Sequence, residues 1–226
     1  MRRGIIIQAR MSSTRLPGKS MKKISGKPLI YYVIDRVKRV VGIDAIIIAT
    51  SSDPSDDCIA DYAVKNDILV FRGDLDNVQK RYYDAAEKFS IDVIIRVTGD
   101  NPLVSPVLIQ RMLNEWNETK VDYIAYTECI VGTGAELFTR SSFDKAIALS
   151  HSAYDFEHVT PPYYQKKDDF RTLFLKTPEE YRHDTLVVTV DTEKDLEFIR
   201  KIYKNFHKEG YVSLKNVISN FSLIKG

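Results

Sequence analysis

A chain of 226 residues with 44% apolar and 28% charged content has the size and make-up of a globular domain with a proper core. Its net charge of +2 at pH 7 includes no basic block, which argues against a general nucleic-acid binder, since such proteins gather their cations on one face. Two cysteines, Cys58 and Cys129, are too few for a disulfide framework, and no apolar run reaches the ~18 residues of a membrane span; the expectation is a cytoplasmic protein with no nucleic-acid or membrane partner.

In chain order, "GIIIQA" at residues 4–9 is short, β-branched and followed by breakers, and predicts a buried strand. "PLIYYVIDRVKRVV" starts a helix at Pro28 and places Ile30, Val33, Ile34, Val37 and Val41 on one stripe. Tyr31 and Tyr32 cannot both face the core of that helix, so one is expected to face a partner subunit. "AIIIAT" predicts a second strand, and "DPSDDCIADYAVKND" a helix opening on caps and acidic residues. "ILVFRG", "DNVQKRYYDAAEKFS" and "DVIIRVTGD" continue as strand, helix and strand. "SPVLIQRMLNEWNE" adds a helix capped by Ser105 with Pro106 in its first turn.

Apolar strands alternating with helices predict an α/β fold, a mainly parallel, doubly wound sheet with helices on both faces. The strand ends at Gln8, Thr50, Arg72 and Thr98 then share the carboxyl edge, where such sheets bind ligands. After Tyr126 the rhythm loosens. "ECIVGTGAELFTRSSFDKA" reads as loop, short strand and helix, "RTLFLKTPEEY" and "TLVVTV" as two more strands, and "DTEKDLEFIRKIYKNF" as an amphipathic helix. The expectation is one domain over 1–226, in which 127–226 adds strands to the sheet begun by 1–126 and does not form a separate domain.

The stretch "QARMSSTRLPGKS" leaves the first strand as a basic, irregular loop. A P-loop would need a glycine where Ser13 stands, and no dinucleotide fingerprint follows the strand. Arg10, Arg15 and Lys19, with hydroxyls of Ser12, Ser13 and Thr14 and turn amides near Gly18, nonetheless suit a polyphosphate. "VTGDNP" and "VTVDTEKD" put Asp100 and Asp191 at two strand ends. Either aspartate alone reads as a capping residue. Beside a triphosphate the pair suits Mg²⁺, which takes a few carboxylates together with phosphate oxygens and water. Asp195 reads as a first-turn helix residue.

Taken together, "QARMSSTRLPGKSMKKISGKPLI", "ATSSDPSDD", "FRGDLDNVQKRYYDAA", "RVTGDNPLVSP", "EHVTPPYY" and "VTVDTEKDL" resemble the SpsF-type cytidylyltransferases of spore-coat polysaccharide biosynthesis, relatives of the CMP-sialate and CMP-Kdo synthetases. The resemblance implies a GT-A-like nucleotidyltransferase fold and transfer of CMP from CTP, with Mg²⁺, to an acidic sugar or a small phosphorylated or carboxylated acceptor for surface or spore-coat polysaccharide. It implies that Arg10, Arg15 and Lys19 hold the triphosphate, with Lys19, Arg10 and Asp100 as the catalytic set, and that Asp100 and Asp191 hold the metal. Gln8 and Ala9 are then near cytosine, with Arg72 lining the same side.

On the acceptor side, Glu136 in "VGTGAELF" fills the acidic position although the preceding loop departs from the family pattern, and it is expected to bind hydroxyls. His158 in "EHVTPPYY" either meets the acceptor or is bonded between helix and sheet. The resemblance also implies a homodimer. Two other classes stand beside this reading: a GT-A glycosyltransferase, disfavoured because "GDNP" lacks the Asp-x-Asp motif, and a non-catalytic nucleotide-binding subunit.

Overall fold

The computed structural model describes residues 1–208 and 210–224. The first half supplies four parallel strands, β1 (Arg3–Gln8), β2 (Ala45–Ser51), β3 (Leu69–Gly73) and β4 (Val93–Thr98). β1 lies between β2 and β4, with Ile6 opposite Ile47 on one side and Arg96 on the other. Three further strands, β5 (Tyr123–Thr127), β6 (Glu136–Thr139) and β7 (Thr172–Lys176), extend this to a seven-stranded sheet in the order β3-β2-β1-β4-β6-β5-β7. The sheet is mainly parallel, as expected, except for β6, which runs antiparallel to both neighbours. That reversal brings the first residue of β6, Glu136, level with Arg96 near the carboxyl end of β4.

Helices α1 (Leu29–Val37), α2 (Asp57–Lys65), α3 (Val78–Lys88), α4 (Pro106–Thr119), α5 (Arg140–Ala148), α6 (Ala153–His158), α7 (Pro161–Gln165) and α8 (Glu193–Phe206) flank the sheet. Successive strand residues point to opposite faces. Ile5, Ile7, Ile95 and Val97 therefore join one core with Val33 of α1, Ile109 of α4 and Ile199 of α8. Ile6, Ile47 and Ile94 join the other with Tyr82 of α3 and Phe143 of α5. At the carboxyl edge this second row turns polar, with Gln8, Arg96 and Thr98 continuing the positions of Ile6 and Ile94. Local signals behave as read: Ser105 caps α4 by accepting from Leu108 N at 3.3 Å, with Pro106 in the first turn.

Two expected elements differ. α1 stops at Val37, and the turn into β2 buries Val40 while leaving Val41 76% exposed. "TLVVTV" is no strand of the sheet. It is an extended strap that forms one isolated β-bridge, Val131 with Val187, and buries Leu186, Val188 and Val190 in the core. Of the tyrosine pair, Tyr32 is buried and donates to Ile24 O at 2.6 Å, while Tyr31 packs edge-on against it and is only partly covered. No helix among the described residues is long and apolar enough to cross a membrane.

Candidate active site

The basic loop folds around the Met11 peptide. Met11 N donates to Asp56 Oδ1 at 2.7 Å, and Met11 O accepts from Ser13 N at 2.9 Å and Gly18 N at 2.8 Å. Asp56 is fully buried and also accepts from Thr50 Oγ1 and from Ser51 N at 3.0 Å each, and from Ser51 Oγ at 2.5 Å. Leu16, 5% exposed, anchors the loop from below. Gly18, at φ 71°, takes the left-handed conformation that starts the short turn Lys19–Met21 and that costs glycine nothing.

This turn aims Lys19 across the carboxyl edge. Its Nζ donates to Asp100 Oδ2 at 2.7 Å, Val190 O at 2.9 Å and Asp191 Oδ1 at 3.0 Å. Arg15 reaches the same Asp191 Oδ1 at 2.9 Å. Asp100 follows β4, and the strap carrying Asp191 is tied to it by Val190 N donating to Asp100 O at 2.9 Å. Asp195 lies in the first turn of α8, as expected, where its Oδ2 accepts from Asp191 N, Thr192 N and Thr192 Oγ1 and completes a capping box with Thr192.

These groups border a cleft of about 600 Å³ whose walls include Gln8, Ala9, Arg10, Arg15, Lys19, Asp100, Asp191 and His158. Arg10 extends toward α6 and pairs with Glu157 at 3.3 Å. His158 sits at the end of α6, its ring 4.2 Å from that of Tyr154. The next residue, Val159, is buried at φ 71°, a conformation costly for a β-branched side chain. It turns the chain so sharply that Thr160 N donates to His158 O at 2.8 Å.

Two expected site residues lie elsewhere. Arg72 is absent from the cleft walls; its Nε donates to Ser51 O and its Nη2 to Asp53 O, both at 2.9 Å, and it pairs with Asp57 at 2.6 Å. An arginine ending an edge strand next to β2 finds these carbonyls before it finds a ligand. Glu136 stands behind the cleft. It pairs with Arg96 Nη1 at 2.5 Å, accepts from Thr160 Oγ1 at 2.7 Å, and accepts from Tyr123 Oη. Its hydroxyl partners are thus the protein's own.

Sequence reading missed Arg96 and Arg81, both in the cleft wall. Arg96 left a signal, a cation inside the apolar run "VIIRVT". Burial opposes its charge, but Glu136 beside it holds the guanidinium pKa up. Arg81 occupies the apolar stripe of α3, and burial lowers its pKa. Asp56 was missed because nothing local distinguishes it from the other acids of "SSDPSDD".

A cation-rich loop faces two carboxylates at the carboxyl edge of this sheet, and the fold is the α/β fold of nucleotidyltransferases. Residues 4–218 match the family model described as Cytidylyltransferase. The chain is 34% identical over 201 residues to an uncharacterized protein of Methanocaldococcus jannaschii, covering 89% of this chain and 83% of that one. It is 32% identical over 220 residues to the spore coat polysaccharide biosynthesis protein SpsF of Bacillus subtilis, covering 95% and 91%. A solved cytidylyltransferase from Leptospira borgpetersenii superposes with a TM-score of 0.90 at 29% identity, covering 99% of this chain and 96% of that one. The chain belongs to the cytidylyltransferase family and is an enzyme of CTP-dependent cytidylyl transfer. Family membership sets aside the glycosyltransferase and non-catalytic alternatives.

Proposed function

We propose that this enzyme transfers CMP from CTP to an acidic sugar or a small phosphorylated or carboxylated acceptor, releasing pyrophosphate, in the building of a surface or spore-coat polysaccharide. The observation that carries the reading is the meeting of Lys19 with both Asp100 and Asp191 within 3.0 Å at the foot of the basic loop. The acidic character of the acceptor draws on the family resemblance and on the cations in the cleft wall, Arg10, Arg81 and Arg96.

In this reading Arg10, Arg15 and Lys19 hold the triphosphate, and Gln8 and Ala9 line the cytosine. His158 faces the acceptor, while Glu136 acts on it only by orienting Arg96. Asp100 and Asp191 are the residues that would hold Mg²⁺: two carboxylates converging on one ammonium form the hard, anionic donor set this ion prefers. Bound there, Mg²⁺ would neutralise charge on the phosphoryl oxygens. The acceptor oxygen attacks the α-phosphorus in line and the bond to the β-phosphate oxygen breaks as pyrophosphate leaves; where the acceptor oxygen is a hydroxyl, its proton passes to water. Lys19, Arg10 and Arg15 stabilise the charge that develops on phosphoryl oxygens and leaving group. The proposal includes a cytoplasmic homodimer, supported by the resemblance and open to sedimentation velocity.

The test is pyrophosphate release with Mg²⁺ and each of CTP, UTP, GTP and ATP, against a pool of sugar acids, sugar phosphates and phosphoglycerate. Release with CTP alone, dependent on one acidic acceptor and lost in Asp100→Asn, is the expected result. Release with a neutral sugar in place of the acid removes the acceptor assignment.

A further inference from the structure

Asp191 reaches the cleft on the strap, not on a sheet strand, so something other than a hydrogen-bonded ladder must fix its position. The strap has two backbone tethers here: Val188 N donates to Val131 O at 2.8 Å and Val190 N to Asp100 O at 2.9 Å. Between these tethers it passes directly over Gly132. A Cβ at Gly132 would lie 2.4 Å from Thr189 N, 2.6 Å from Val188 C and 3.0 Å from Thr189 Cα. All three are backbone atoms, so no rotamer change relieves the contact and the strap itself must move. Gly132 also stands at φ +96°, a region that favours glycine. Both Gly132 and Thr189 are part of the cleft wall that holds Asp191.

We infer that Gly132 is a positioning residue for Asp191: the missing side chain lets the strap lie close enough for Asp191 to meet Asp100. This inference rests on the proposed role of the two aspartates in holding Mg²⁺. That ion accepts its oxygens only near 2.0–2.1 Å and in near-octahedral geometry, so a carboxylate carried away with its backbone is lost as a ligand. Arg15 and Lys19 are flexible and can follow a displaced Asp191; a small rigid cation cannot. The loop "VGTGAELF", which departs from the family pattern, thereby acquires a function through its first glycine.

The experiment compares Gly132→Ala with Gly26→Ala. Gly26 has a similar φ of +85° but nothing within 4 Å of an added Cβ, so it reproduces the backbone strain without the collision. Three quantities are read: metal-free CTP affinity, Mn²⁺ affinity of the CTP-saturated enzyme by water proton relaxation, and the Mg²⁺ half-saturation of turnover against kcat. Gly132→Ala is expected to weaken Mn²⁺ at least tenfold and raise the Mg²⁺ half-saturation in parallel, with CTP affinity kept; Gly26→Ala leaves all three unchanged.

If Gly132→Ala does not fold, Val188→Pro, which removes a tether without adding bulk at Gly132, is expected to weaken Mn²⁺ in the same way. Wild-type Mn²⁺ affinity in a folded strap variant overturns the inference while leaving the metal site in place. Wild-type Mn²⁺ affinity in Asp191→Asn overturns the metal assignment itself, and the inference with it.

Discussion

Lys19 and Asp100 lie 81 residues apart in sequence and 2.7 Å apart in space. With Asp191 as third member, Lys19 bridges two carboxylates at the base of the cleft, and Arg15 on Asp191 supplies the second positive charge that balances them. The same ammonium is the only one of the loop's three cations that touches both acids, since Arg15 reaches Asp191 and Arg10 turns to Glu157.

Lys19→Ala is therefore expected to lower turnover by roughly one to three orders of magnitude, the scale of losing one preorganised electrostatic contact. Arg15, 67% exposed against 12% for Lys19, is screened by solvent. Arg15→Ala should cost under about tenfold, and its effect should shrink as salt rises. Steady-state kinetics at two ionic strengths decide; equal losses for both variants at high salt contradict the burial argument.

Asp56 holds the loop from beneath. Asp56→Ala leaves Met11 N, Ser51 N and two hydroxyls without their acceptor, and unsatisfied buried donors cost about 1–3 kcal/mol each. A lower unfolding midpoint in urea together with weaker CTP binding is expected. Unchanged CTP affinity in a folded Asp56→Ala protein would mean that the loop keeps its shape through Leu16 and the Lys19 contacts without Asp56.

Glu136 is expected to matter for stability before it matters for substrate. Glu136→Ala strands the Arg96 guanidinium, whose side chain is 15% exposed, and breaking a buried pair costs about 3–5 kcal/mol. Replacing both partners by Arg96→Met and Glu136→Leu should cost less than the single variant. Chemical denaturation of the three proteins measures this directly; a double variant worse than Glu136→Ala shows that Arg96 is not the stranded group.

Alkaline pH should destabilise the fold. Burial pushes Tyr163 up and Tyr123 well up, Glu136 adding to the effect on both, and burial pushes Tyr126 up to about 12. Below the ordinary tyrosine pKa of about 10 both folded and unfolded chains keep these protons. Above it the unfolded chain ionises first while the folded chain holds on, so stability falls as pH rises from about 10 toward 12 and beyond. Melting temperatures across this window, followed alongside phenolate absorbance, check the sign. A midpoint that stays flat while the phenolate signal appears would show that those tyrosines ionise without unfolding.

The sequence by itself determined the alternation of strands and helices, because buried parallel strands and amphipathic helices each carry their own period. It also determined the caps, such as Ser105 ahead of Pro106, which depend on neighbours within one turn. It brought forward the loop of Arg10, Arg15 and Lys19 and the two aspartates, since charged residues at the ends of apolar runs stand out locally.

Only the tertiary structure decided the partnerships made at long range. Arg72 and Glu136 carry charges as conspicuous as Lys19, yet Arg72 is spent on Ser51, Asp53 and Asp57, and Glu136 on Arg96, Tyr123 and Thr160. Nothing within a few residues of either one records that choice. It follows from the reversed β6, which places Glu136 beside Arg96, and from the strap, which leaves the sheet to place Asp191 beside Asp100. A local pattern fixes what a side chain can do; the sheet order and the backbone approach at Gly132 fix which charge it meets.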